Sequence, residues 1–199
     1  MSAMPGCPPA PRRGRLGRPA SPEPALLLAA VATGAALVVA LWAGTTASVS
    51  GLGGWLTGAG QLCGLLGAWG LLSVVALMAR LPPLENRIGA DRLARWHAFG
   101  GRWTISLLVA HALLITWGYA VTAHTGAPHE SVLLLRSYPD VLAATVALGL
   151  LLLVAGFSVR TARRRVRYET FYWVHFYVYL AAALSFAHQL VPLPATFAA

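Results

Sequence analysis

The chain has 199 residues, of which 57% are hydrophobic and only 11% charged, and its formal net charge is +9. A soluble domain of this size carries about 25% charged residues, so the composition excludes an ordinary water-soluble enzyme and marks a membrane protein. All fifteen basic residues are arginines confined mostly to short segments between apolar runs, a distribution that membrane topology explains and that excludes nucleic acid as a partner.

Residues 1–24 are rich in Pro, Arg, Gly and Ala without apolar period, and are expected to form a disordered basic tail. Residues 25–43, "ALLLAAVATGAALVVALWA", are long for a signal-peptide core and are expected to remain as a first membrane helix. Four further apolar runs follow: Trp55 to Ala79, His97 to Ala123, Pro139 to Val159 and Glu169 to Val191. Spanning a hydrocarbon core of about 30 Å takes about 20 helical residues, and a helix satisfies its own backbone in lipid. The expectation is an all-α membrane protein. It comprises a bundle of about five transmembrane helices over residues 25–191 and a short tail over residues 192–199. The segments between runs, including residues 124–138, read as loops. The two cysteines, Cys7 and Cys63, belong to no CxxC or CxxCH motif, so neither covalent haem attachment nor a thiolate metal site is indicated.

Orientation follows from the arginines. Arg12, Arg13, Arg15 and Arg18 precede the first run; Arg80, Arg87, Arg92 and Arg95 separate the second from the third; Arg160, Arg163, Arg164, Arg165 and Arg167 separate the fourth from the fifth. The alternate connections are nearly bare, with only Arg136 and Glu130 in residues 124–138. The positive-inside rule then places the N-terminus in the cytoplasm and the end of the fifth run outside. The arginine-only basic set fits a GC-rich bacterial genome, so a multi-pass protein of a bacterial plasma membrane is expected.

Two runs carry histidines in pairs. His97 and His111 are fourteen residues apart on the third; His175 and His188 are thirteen apart on the fifth. Both runs point the same way across the membrane, so His97 and His175 share an inner depth and His111 and His188 an outer one. At about 1.5 Å per residue the two depths lie roughly 20 Å apart, too far for one metal ion and suited to two stacked centres. A pair of imidazoles from two facing helices with a flat macrocycle between them fits haem, and two axial imidazoles leave iron no open position, which favours electron transfer. Small residues flank the sites, among them Ala98, Gly100, Gly101, Ala110 and Ala112. Thirteen helical residues miss a common face by about 140°, so either the fifth helix is distorted or the two macrocycles are offset around it. Ionisable groups inside a membrane are costly and point to function.

The patterns "RWHAFGGRWTISLLVAH" and "YWVHFYVYLAAALSFAH" resemble the ferric reductase-like transmembrane domain. That superfamily includes ferric reductases, NADPH oxidases and the haem-binding membrane subunit of a bacterial methionine sulfoxide reductase system. The resemblance covers roughly residues 25–190. It implies two haem b groups, the inner held by His97 and His175 and the outer by His111 and His188. It also implies a sixth helix, which the apolar runs do not supply. Many members continue into a cytosolic FAD and NAD(P)H domain, but no GxGxxG stretch is present here. FAD and NAD(P)H are therefore expected only through a missing domain or a cytoplasmic flavoprotein dehydrogenase.

Arg102, five residues beyond His97, is a candidate partner for a haem propionate, against an interfacial snorkelling role. Arg163, Arg164, Arg165 and Arg167 read either as a dock for a cytosolic dehydrogenase or anionic lipid, or as a topology signal alone. His124 and His129 with Glu130 read as a weak metal candidate, and Trp103 and Tyr177 as packing aromatics with a conceivable place in electron tunnelling. The leading function is transmembrane electron transfer through two haems, from cytoplasmic flavin to ferric iron or oxygen outside. A relay subunit serving a separate periplasmic or surface reductase is the alternative, and a haem-free transporter or structural bundle is a third.

Overall fold

A computed structural model describes residues 22–45, 49–79, 81–158 and 168–190 of the chain. The tails expected at residues 1–24 and 192–199 fall almost wholly outside these residues, as do Cys7, Arg80 and the arginines from 160 to 167. The described residues form seven helices and no strand: α1 (Glu23–Thr45), α2 (Gly51–Leu77), α3 (Pro82–Ile88), α4 (Ala90–Thr122), α5 (Ala127–Ser137), α6 (Pro139–Ser158) and α7 (Tyr168–Leu190). The all-α expectation holds. Four helices have spans long and apolar enough to cross a membrane, Glu23–Gly44, Gly51–Leu77, Ala90–Thr122 and Asp140–Ser158. The fifth expected crossing is α7, whose 23 residues reach about 34 Å. Within it, Tyr172–Phe186 is a described apolar stretch.

The connections are more ordered than the arginine-marked loops imply. The second connection holds α3, begun by Pro82 and Pro83, where a missing N–H leaves nothing unsatisfied. Gly89, at φ 90°, both ends α3 and starts α4. Its N–H bonds to Glu85 O and its own carbonyl receives Arg92 and Leu93 N–H. Only glycine takes that backbone without strain. Residues 124–138, read as a loop, contain the eleven-residue helix α5. Pro128 in its first turn, Glu130 near its start and Arg136 in its last turn all suit a helix and its dipole. Glu130 is buried and accepts a 3.0 Å hydrogen bond from the Thr125 hydroxyl.

Two antiparallel hairpins organise the bundle: α2 packs on α4, and α6 on α7. Lipid is as apolar as leucine, so membrane helices associate through close packing and hydrogen bonds rather than hydrophobic exclusion. The α2 face toward α4 is accordingly glycine: Gly53, Gly60, Gly64 and Gly67 are all buried. A Cβ on Gly60 would sit 2.9 Å from Ile115 Cγ1, and one on Gly67 2.7 Å from Leu108 Cδ2. A Cβ on Gly70 would meet Thr104 Oγ1 at 2.6 Å, while Gly53 faces Thr122 and Gly118 faces Thr57 just as tightly. Each step forward along α2 is matched by an equal step back along α4. Helix α1 lies antiparallel to α2, tied by Trp42 Nε1–H to Gly58 O and Trp69 Nε1–H to Val31 O, each 3.0 Å.

One apolar cluster, Leu71, Leu108, Ala147, Leu151 and Ala181, joins α2, α4, α6 and α7. Large apolar side chains such as Leu37, Trp103, Leu113, Trp117 and Trp173 point outward, as a lipid-facing surface requires. Exposed Arg87 meets Glu23 at 3.6 Å. The start of α1 and the end of α2 therefore share one end of the bundle with Arg87, Arg92 and Arg95.

The seam between α2 and α4 predicts an asymmetry among glycines. Gly67→Leu should destabilise the protein by about 1–3 kcal/mol through overpacking. Gly149→Ala, where no atom lies within 4 Å of the added carbon, should be neutral or stabilising by up to about 1 kcal/mol. Thermal unfolding in detergent reads both; equal destabilisation by the two would contradict the packing described.

Candidate functional site

The four sequence-singled histidines fall on two helices, as expected: His97 and His111 on α4, His175 and His188 on α7. His97, His111 and His175 are half-buried. The ring centres of His97 and His175 lie 5.7 Å apart with planes inclined by 61°, so the structure brings the expected inner pair together. Helix α7 runs unbroken from Tyr168 to Leu190. The 140° offset between its two histidine positions is therefore not relieved by a break in the helix. The side chain of His188, and with it the outer pairing, lies outside the described residues.

Both α4 histidines are held by the neighbouring helix. His97 Nδ1 is 3.1 Å from Val74 O, and His111 Nδ1 is 2.9 Å from Gly60 O. A backbone carbonyl only accepts, so each Nδ1 carries the proton and donates it. In the neutral ring this arrangement puts the lone pair on Nε2, the nitrogen that can then bind a metal. His97 and His111 are fourteen residues apart, and so are their acceptors Val74 and Gly60 on the antiparallel partner. The glycine seam makes this possible, since a Cβ on Gly64 would lie 2.6 Å from His111 Nδ1 and 2.9 Å from its Cε1.

These α2 residues were missed by the sequence reading, which looked for small residues beside the histidines themselves. Of those, a Cβ on Gly101 would meet nothing within 4 Å and one on Gly100 only Val74 Cγ2 at 3.0 Å. The available signal was the recurrence of glycine at 53, 60 and 67, every second helical turn, with Gly64 alongside.

Arg102 is exposed, with its guanidinium carbon 5.9 Å from the Phe99 ring centre. Five residues turn it about 140° from His97 around the helix, so it is not brought beside that ring. His124, at φ 53°, and His129 are both exposed, whereas Glu130 is buried against Thr125. Among the described residues no group of three or more His, Cys, Asp or Glu side chains is placed to hold a metal ion. Trp103 and Tyr177 are exposed on the outer faces of α4 and α7.

No curated protein and no solved structure matches the chain. A family model described as the ferric reductase like transmembrane component matches residues 63–186, well over half of the chain. The matched span runs from the middle of α2 through most of α7. It includes His97, His111, His175 and the Gly64–His111 contact, and stops two residues before His188. The helices, the paired histidine positions and this match agree, and the chain belongs to the ferric reductase-like transmembrane component family.

Proposed function

We propose that this chain carries electrons across a membrane through two b-type haems, the inner bound by His97 and His175 and the outer by His111 and His188. In this reading the donor is a cytoplasmic flavin reduced by NAD(P)H, and the acceptor outside is ferric iron or oxygen. The observation that carries it is the His97–His175 pair. Their ring centres lie 5.7 Å apart between α4 and α7, so the two imidazoles could together hold one haem, which would supply a one-electron centre there. The donor set fits as well, since Val74 O holds His97 in the tautomer that leaves Nε2 free. Helices α4 and α7 have their main packing partners elsewhere, in α2 and α6, which leaves their facing sides for a flat group.

When bound, a haem with two imidazole ligands supplies a reversible one-electron centre without an open iron position. The chain's own residues do the rest. His111 is presented by the Gly60 carbonyl as His97 is by Val74. The cluster of Leu71, Leu108, Ala147, Leu151 and Ala181 keeps water from the interior between the two depths. Arg102, exposed five residues from His97, is left for a carboxylate at the membrane edge. The end bearing Arg87, Arg92 and Arg95 is assigned to the cytoplasm by the positive-inside rule. Outward movement of one electron across a membrane negative inside is then favourable by about 2.3 kcal/mol per 100 mV. In this reading NAD(P)H and FAD belong to another domain or to a flavoprotein partner; a relay subunit for a separate reductase is the second reading.

Haem content decides the matter first. Pyridine haemochrome analysis of protein made with ample haem should give about two b-type haems per chain, both low-spin. A well-folded preparation with none would leave the haem-free bundle as the reading. His111→Ala and His188→Ala should each remove the same spectral component, and His97→Ala and His175→Ala the other. Loss of one component in both His97→Ala and His188→Ala would overturn the pairing.

Direction is tested in sealed vesicles. Purified protein of residues 1–199 should take electrons from dithionite yet oxidise no NADPH until a flavoprotein is added. Reduction of the haems solely by impermeant donors on the face opposite the arginine-rich end would reverse the assigned direction.

A further inference from the structure

Helix α2 carries no histidine, yet it touches both α4 histidines at the atom that controls their chemistry. The two acceptors, Gly60 O and Val74 O, repeat at the spacing of the two rings, so one antiparallel register satisfies both. A metal-bound imidazole that donates its second N–H to a carbonyl is fixed in tautomer and orientation and is made a stronger electron donor. The outer ring has a further constraint from α2. Gly64, one turn beyond Gly60, lies so close that a Cβ there would sit 2.6 Å from Nδ1, 2.9 Å from Cε1 and 3.1 Å from Cγ of His111. That atom would press on the ring itself, which cannot bend away as the tip of a long side chain can. The residue one turn beyond Val74 is Met78, which ends α2 rather than lying in the seam, so the inner ring has no such seat.

Resting on the haem reading above, we propose that α2 is the tuning element of both centres, and that Gly64 is the positioning residue that seats the outer ligand. Val74 O and Gly60 O set the donor strength of His97 and His111. Glycine at 64 keeps the His111 ring where its Nδ1–H reaches Gly60 O. With any side chain at 64 the ring tilts, that hydrogen bond is lost, Nε2 becomes a weaker donor, and the ferric state is stabilised less. The outer centre alone is affected.

The test uses haem-loaded protein and compares Gly64→Ala with Gly58→Ala and Gly149→Ala. The two controls add the same carbon where its nearest atom is Trp42 Cζ2 at 3.7 Å, or where nothing lies within 4 Å. Redox titration and low-temperature EPR read each centre separately. In Gly64→Ala the outer midpoint potential should move positive, its g values should change, and its haem affinity should fall by about 10–100-fold. The inner centre should stay unchanged, and both controls should leave both centres unchanged. The proposal is overturned by a Gly64→Ala protein with both centres unaltered, by equal shifts in both, or by controls that move the outer centre as far. Should Gly64→Ala not fold, the ring nitrogens of His97 and His111 in the ferrous wild-type protein decide by 15N NMR. Slowly exchanging, hydrogen-bonded Nδ1 protons support the proposal, and Nδ1 protons that exchange at the solvent rate overturn it. Wild-type protein lacking haem would instead remove the function proposed above; the same ring-nitrogen spectra of that protein would still decide whether α2 holds the two tautomers.

Discussion

The rest of this structure depends on how closely the backbones of α2 and α4 approach each other. An imidazole can reach a carbonyl inside a neighbouring helix only if nothing projects between them. The buried glycines at 53, 60, 64 and 67 remove what would project. Interhelical hydrogen bonds in membranes average only about 0.6 kcal/mol, so the two bonds at His97 and His111 add little net stability. Their larger effect is directional. They choose which ring nitrogen carries the proton and which way the other one points, and they do so identically at two places fourteen residues apart.

That single close contact also explains the division of labour among the helices. Because α4 spends its tight contacts on α2, and α7 spends its own on α6, the two histidine-bearing helices meet each other only lightly. The five-residue apolar cluster supplies the shared anchor. Two hydroxyls of α4 turn to their own helix instead of crossing the seam. Thr116 and Thr122 bond back to the carbonyls of Ala112 and Gly118 on their own helix, which satisfies them without a polar partner across the seam.

The ends of the bundle are built differently from its interior. Helices α3 and α5 cap opposite connections with proline starts and acidic first turns, and the Arg87–Glu23 pair joins the start of α1 to the region after α2. An exposed pair of this kind contributes little energy. It does show that the α1–α2 hairpin returns to the arginine-bearing end, as alternation of arginine-rich and arginine-poor connections demands. The exposed Trp103, Trp117 and Trp173 stand where a lipid surface accepts large apolar rings at no cost.

Much of this was legible in the sequence. Apolar run length determined the helices, because a backbone in lipid must satisfy itself and about 20 residues are needed to cross. The runs beginning near Trp55 and Pro139 correspond to α2 and α6, and the four histidines fall on α4 and α7. Helix α5 was hidden because its eleven residues are too few to cross a membrane, so apolar run length left the segment as a connection. The role of α2 was not legible from the histidine-bearing segments. A carbonyl belongs to every residue and leaves no mark in sequence, so which two carbonyls meet His97 and His111 was decided only by the register of two antiparallel helices. The glycines that permit that register could be read as small residues, but the approach distance that makes Gly64 matter to His111 exists only when the two backbones are brought together. Sequence alone determined that four histidines fall on two helices; tertiary packing decided which ring nitrogens of His97 and His111 meet a carbonyl of α2.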